Sequence, residues 1–264
     1  MLDITTTEQL ARHLLKARRS NHKLTHIDAQ LVPATEEEAN RVQDLVAEAL
    51  GPIGGYKVAC KKDGSGSYGI IPASHVFSAP PTTRLPAAGL KMEAEIAFTL
   101  GQDLTLTAGK TDFSREDVAQ VIAGAYIAVE ILDSRLAFAD PVPSLLAQAD
   151  HLSNWGLVHG ELCSDWHAFA EPRTYDVLYK LGNTKAVDGA FAHPSGLDPF
   201  APVVWLAQKL ATQGRTLKAG QTITTGAFGG SHMPRLDDRV DITISGLPRL
   251  QFVVSEISTK ALPN

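Results

Sequence analysis

The sequence predicts an α+β fold, a β-rich body preceded by a small helical region, and three observations carry that prediction. Roughly the first fifty residues hold apolar positions at helical spacing. Most of the remainder consists of short alternating segments punctuated by Gly, Ser and Pro. No Gly/Ser-rich or charge-rich linker and no internal repeat divides the chain. We assign 1–52 to the helical region and 53–264 to the β-rich body, with one continuous domain as the alternative. At 264 residues the chain is long enough to bury a substantial core.

The elements follow in order. A first helix opens at Thr6, with Gln9 completing a capping box and Leu10, Leu14 and Ala17 on one stripe. A second opens with Thr35 and Glu38, repeats Val42, Leu45, Val46, Ala49 and Leu50, and stops at Gly51-Pro52. Strands follow in "GGYKVACK", "SYGIIPASHVF" and "KMEAEIAFTL". Ser114 and Asp117 start a third helix running through Val118, Val121, Ile122 and Ala125 into the strand "YIAVEILDSRL". In "DPFAPVVWLAQKLATQG", Asp198 is the expected N-cap, Pro199 the first helical residue and Gly214 the stop. The tail "DRVDITISGLPRLQFVVSEI" has a hairpin pattern with its turn near Gly246-Leu247-Pro248.

Composition excludes several function classes. A net charge of -5 gives no basic footprint for a phosphate backbone, so no nucleic-acid partner is expected. No apolar run approaches the roughly 20 residues of a membrane span. The first residues lack the basic-then-apolar order of a leader peptide. Cys60 and Cys163 have no metal-ligand spacing. A cytoplasmic protein without a membrane partner is the expectation.

One strand carries chemistry. In "KMEAEIAFTL", Met92, Ala94, Ile96, Phe98 and Leu100 share one face and Lys91, Glu93, Glu95, Ala97 and Thr99 the other. Glutamate is a poor strand former, yet Glu93 and Glu95 point the same way with Cα atoms about 6.6 Å apart. Glu130 sits on a second predicted strand. If those strands meet, the three carboxylates need a counter-charge, and a hard divalent ion, Mg²⁺ before Mn²⁺ or Ca²⁺, suits oxygen ligands. On spacing alone, a solvated polar face is the better explanation of the pattern.

Several segments resemble the 2-keto-4-pentenoate hydratase / 4-oxalocrotonate decarboxylase group of the fumarylacetoacetate hydrolase superfamily. They are "GGYKVACK", "SYGIIPASHV", "KMEAEIAFTLGQDL", "GAYIAVEILDSRL", "ADHLSNWGLVHG", "PVVWLAQKLATQGRTLKAGQTITTGA" and "LDDRVDITISGLPRLQF". The resemblance implies a mixed β-sheet roll or barrel of the fumarylacetoacetase C-terminal type with the helical region outside. It implies that Glu93, Glu95 and Glu130 hold Mg²⁺ or Mn²⁺. It implies acid-base or carboxylate-pairing work for Lys57, with a lowered pKa, and a hydrogen bond from Asn154 to the substrate carbonyl. Tyr68, Gly69 and Gly226 fall at expected substrate-binding positions. Asp133 and Arg135 are expected to pair with each other, since opposite charges two apart on a strand share a face.

The chain also departs from that pattern. Ser67 stands where hydratases of the group carry an acidic residue before Tyr68-Gly69, His151 where asparagine is usual, and Ala227 where serine is usual. His151 could take over proton transfer, since histidine titrates near neutrality; a structural or solvated histidine is the alternative, as it is for His75, His159 and His232. The implied activity is metal-dependent hydration of a 2-keto-enoate or 2-hydroxydienoate. The runner-up is decarboxylation of a 4-oxalocrotonate-like 2-keto-enedioate, and a further alternative is a catalytically impaired keto-acid-binding partner subunit. Expected partners are a small 2-keto acid, further copies of the chain in a homo-oligomer, and a related decarboxylase or hydratase.

Overall fold

Leu10, Leu14 and Ala17 line the buried stripe of the first helix, α1 (Ile4–Ser20), as their spacing requires. The computed structural model describes residues 4–80, 82–106 and 110–256. Helix α1 is already under way at Ile4, so Thr6 lies inside it and the predicted capping box there is not its start. The Thr35 cap of α2 (Glu36–Leu50) holds: its side chain accepts from the Glu38 N–H, while the Glu38 carboxylate accepts from Ala34 N–H. Gly51, at φ 103°, ends the helix. These helices share a buried cluster with Leu136, Leu146 and Ala149, the last two on the short α4 (Ser144–Ala149). The helical layer therefore borrows its third wall from the later half of the chain.

Two mixed sheets carry the rest. The larger contains β1 (Ile53–Cys60), β2 (Gly66–Pro72), β3 (Val76–Ser78), β5 (Lys91–Leu100), β6 (Ile122–Leu132), β7 (Asn154–His159) and β10 (Thr222–His232). Its order is β2-β1-β10-β5-β6-β7-β3. The smaller, in the order β4-β12-β11-β8-β9, contains β4 (Arg84–Pro86), β8 (Thr174–Leu181), β9 (Thr184–Ala192), β11 (Arg239–Ile244) and β12 (Leu250–Ser255). The predicted hairpin is β11–β12, with Gly246 at φ 93° in its turn; Ile257, which closes that segment, lies outside the described residues.

Two helix expectations are corrected. The third helix, α3 (Arg115–Ala119), keeps its Ser114–Asp117 capping box but lasts five residues. Ile122 already begins β6, and Ala125 lies within that strand. The run of β-branched and aromatic residues there pairs with β5 along its length, and that pairing overrides the helical spacing. The last helix is α5 (Ala201–Ala211), starting later than Pro199. Asp198 still satisfies its open end, accepting from Phe200 N–H and Ala201 N–H.

The main core lies between the sheets. The Met92–Leu100 face of β5 and Ile127, Val129 and Ile131 of β6 join Tyr175, Tyr179, Ile242 and Phe252 from the smaller sheet. The opposite face of β5 and β6 turns inward as the larger sheet curls, bringing β2 beside β7 without a ladder between them. Among the described residues this is a roll with two free edges, not a closed barrel. A small apolar cluster, Ile71, Ala97, Tyr126, Ala128 and Leu157 with Val76, packs on that inner face. No helix among the described residues is long and apolar enough to cross a membrane.

Candidate metal centre

Antiparallel pairing of β5 with β6 sets Glu93 directly opposite Glu130 and Glu95 opposite Ala128. Carboxylate oxygens of Glu93, Glu95 and Glu130 lie within 4.8 Å of one another. This is no solvated face: Glu130 is 0 % exposed and Glu95 3 %. Burial, then the charge of Glu130, pushes Glu95 up to about 8 and raises Glu93 in the same direction.

Lys57 on β1 reaches across the curl to the cluster. Its Nζ donates to Glu130 Oε1 at 2.9 Å and to the Leu152 carbonyl at 3.3 Å. Burial pulls the Lys57 pKa down, but Glu130, Glu95 and Glu93 together outweigh it and the net shift is upward. The lowered value expected of Lys57 presupposes a metal cation beside it; with the glutamates alone as neighbours the shift is the other way. Asn154 Nδ2 donates to the same Glu130 Oε1 at 2.8 Å. The amide expected to meet a substrate carbonyl is engaged with Glu130, and its buried Oδ1 is left without a partner. Gly226 is at φ 135°, and its N–H donates to Glu95 Oε2 at 2.6 Å. Thr225 beside it is anchored to the Ile96 carbonyl and to His193.

Gly69 shares the Lys57 face, directly opposite it across the β1–β2 ladder, and lies flat against the His151 backbone. Tyr68 does not join the site. It pairs with Val58, points to the other face, is fully buried, and its hydroxyl donates to Gln213 at 2.9 Å. His151 is buried with its ring among Arg135 and Arg18. Burial, then those two cations, holds it well below its ordinary value, which leaves a neutral ring unsuited to the proton transfer expected of it. His75 is also buried, its ring packed edge-on against Trp155; His159 stacks on Tyr126, and the half-buried His232 lies edge-on to Tyr179. Arg135 and Asp133 are not paired through their side chains: Arg135 binds the Asp150 carboxylate, and Asp133 binds Lys23 at 2.6 Å. Strand β6 ends at Leu132, so the alternation that predicted a shared face no longer applies.

The donor set fits a divalent ion. Three carboxylates and one ammonium leave a formal charge of -3 + 1 = -2 in a buried space. Glu130 Oε2 is buried without a partner. All-oxygen donors of this kind suit Mg²⁺ or Mn²⁺.

Comparison with known proteins agrees with this geometry. The family model for the fumarylacetoacetate (FAA) hydrolase C-terminal region matches residues 67–255. The 2-keto-4-pentenoate hydratase 2 of Dechloromonas aromatica is 32% identical over 168 residues, covering 60% of this chain and 57% of its own. The match thus spans little more than half that relative's length. A 2-keto-4-pentenoate hydratase of Paraburkholderia phymatum is 29% identical over 277 residues, 97% of this chain and 100% of its own. Among solved structures, 4-oxalocrotonate decarboxylase from Pseudomonas putida G7, complexed with magnesium and adipate, superposes with a TM-score of 0.75. That pair is 20% identical and covers 96% of this chain and 99% of the other. The matched region takes in Glu93, Glu95, Glu130 and the strands that bring them together, and the chain belongs to the fumarylacetoacetate hydrolase C-terminal family.

Proposed function

We propose that this protein is a divalent-metal-dependent lyase that adds water to a 2-keto-enoate, reached from a 2-hydroxydienoate, in the breakdown of aromatic compounds. The observation that carries the reading is the convergence of Glu93, Glu95 and Glu130, whose carboxylate oxygens lie within 4.8 Å of one another in a largely buried space. Relatives named as hydratases support the reaction class. Structural neighbours complexed with magnesium, calcium and manganese support a divalent ion for the fold.

Bound by Glu93, Glu95 and Glu130, Mg²⁺ or Mn²⁺ would supply Lewis-acid polarisation of a chelating 2-keto acid. The chain's own residues do the rest. Lys57 carries a proton at Nζ within reach of the same space and has one N–H beyond those given to Glu130 and Leu152. Asn154 fixes Glu130 and leaves its Oδ1 as a buried acceptor. Gly226 N–H orients the Glu95 carboxylate. The inner cluster of Ile71, Ala97, Ala128 and Leu157 excludes water from beneath the glutamates.

A second reading, decarboxylation of a 2-keto-enedioate, is favoured by one residue. Ser67 lies on the Lys57 face of β2 where the resemblance expects an acid to handle water, and loss of CO₂ needs no such group.

The test is calorimetric titration of metal-stripped protein with oxalate, with and without Mg²⁺, beside Glu95→Gln. Oxalate mimics the chelating face of a pyruvate enolate. Binding that requires both Mg²⁺ and Glu95 is expected; ion-independent binding, or none, would overturn the proposal. Dienoate assays that follow water addition against CO₂ release then decide between the two lyases.

A further inference from the structure

Between Asp150 and Asn154 the backbone passes through three successive left-handed residues, none of them glycine: His151 at φ 53°, Leu152 at 52° and Ser153 at 65°. Residues with a Cβ are crowded in that region, so such a run persists only where its surroundings over-determine it. Both sides of the turn are held. Arg135 is buried; its guanidinium donates to the Asp150 carboxylate and carbonyl, to the Asn154 carbonyl at 2.7 Å and to the Asp133 carbonyl at 2.6 Å. Arg135 N–H and the Ser134 hydroxyl both donate to Asp150 Oδ2 at 2.9 Å. Arg18, from α1, adds bonds to the Asn154 and Trp155 carbonyls at 3.2 and 2.7 Å.

What the turn presents explains why it is held. The Leu152 carbonyl accepts from Lys57 Nζ, the His151 backbone lies against Gly69, and Asn154 emerges with its amide on Glu130. Relaxing the turn would swing that carbonyl away from Lys57 and move Asn154 together with it. We propose that Arg135 and Asp150 are positioning residues: their clamp on the left-handed turn sets the Leu152 carbonyl and the Asn154 amide, and through them the Lys57–Glu130 pair. The assignment of a purpose to that pair rests on the metal-site reading above; the clamp itself does not.

The clamp is tested on the full-length protein by the rate at which a small acylating reagent modifies Lys57, read by mass spectrometry against exposed Lys185. Arg135→Lys keeps the charge but cannot reach four acceptors at once. Lys57 should then react about tenfold faster relative to Lys185, and Mg²⁺ affinity measured by calorimetry should fall by about the same factor. Adding Ser153→Gly, which removes a side chain from the left-handed run, should restore both toward wild type. A merely structural ion pair predicts lower stability with an unchanged Lys57 rate in the folded protein, and that result would overturn the proposal. If Arg135→Lys does not fold, Arg18→Lys loosens the same turn through Asn154 and Trp155, and the same two outcomes apply. A wild type that binds no Mg²⁺ would defeat the metal reading alone, because the labelling rates still judge the clamp.

Discussion

Glu93 and Glu130 face each other directly across the β5–β6 ladder. Like charges at opposed positions weaken a ladder, and here one of the two is fully buried. Without a divalent ion, Glu93→Gln should therefore be more stable than wild type by about 1 kcal/mol. The order should reverse once Mg²⁺ is present. An ion at a hundredfold excess over its Kd adds roughly 2.7 kcal/mol to a protein that binds it, and the variant should lose most of that gain. Denaturant unfolding of both proteins with and without Mg²⁺ checks this. A wild-type midpoint indifferent to Mg²⁺ and Mn²⁺ would count against the site.

Lys57 should matter in the opposite sense. Removing one partner of a buried pair leaves the other charge uncompensated, at a cost of about 3–5 kcal/mol. Lys57→Met should show a loss of that order without divalent ion, tempered by protonation of the cluster. Saturating Mg²⁺ should recover part of it, because a cation replaces the missing counter-charge. Turnover should still fall by about a hundredfold or more if Lys57 carries the proton. Stability measured across a Mg²⁺ series, beside single-turnover rates, separates the two effects. A variant with wild-type turnover would remove Lys57 from the chemistry.

Much of this arrangement was legible in the residues. Strict alternation around Glu93 and Glu95 gave their shared face, and Thr35, Gly51 and the Ser114–Asp117 box marked real ends. What misled was local pattern overruled by partners distant in sequence. Val121–Ala125 has helical spacing, yet that region pairs with β5. Tyr68 sits next to Gly69, but alternation on β2 turns it to the other face. The turn at His151–Ser153 was invisible because left-handed backbone is normally announced by glycine, and here buried arginines impose it instead. The role of the Leu152 carbonyl could not be read either, since a backbone acceptor leaves no mark on residue type.

Gly69→Ala tests the closeness of β2 to that turn. An added Cβ would overlap the His151 carbonyl, which is backbone and cannot rotate aside, and would press on Lys57 Cγ at 3.1 Å. Overpacking of this kind costs about 1–3 kcal/mol. We expect a destabilised protein with weakened Mg²⁺ binding, measured by unfolding and calorimetry on the same preparation. An alanine variant equal to wild type in both would show that β2 and the turn can separate freely.

Acid should destabilise the fold through its buried histidines. Burial holds His193 down to about 4 and, with Arg18 and Arg135 adding to it, His75 to about 3, against an ordinary value of 6.5. Below 6.5 the unfolded chain takes up protons that the folded chain refuses. Each histidine therefore contributes stability that is full above pH 6.5 and is lost as pH falls toward its folded value. At pH 5 the loss is about 1–2 kcal/mol per histidine. Asp44 and Glu95, whose pKa values burial raises, act in the other direction, because their folded forms bind protons more readily than the unfolded chain does. The informative comparison is thus variant against wild type, not one pH against another. His193→Gln should narrow the stability difference between pH 7 and pH 5 by about 1–2 kcal/mol relative to wild type, read from denaturant midpoints. The glutamine amide can still bond to Ser195 and Thr225, which now flank the ring, so a change in the slope with pH reports the lost titration and not a collapsed pocket. Parallel stability-pH curves for the two proteins would mean that His193 is not held neutral by its burial.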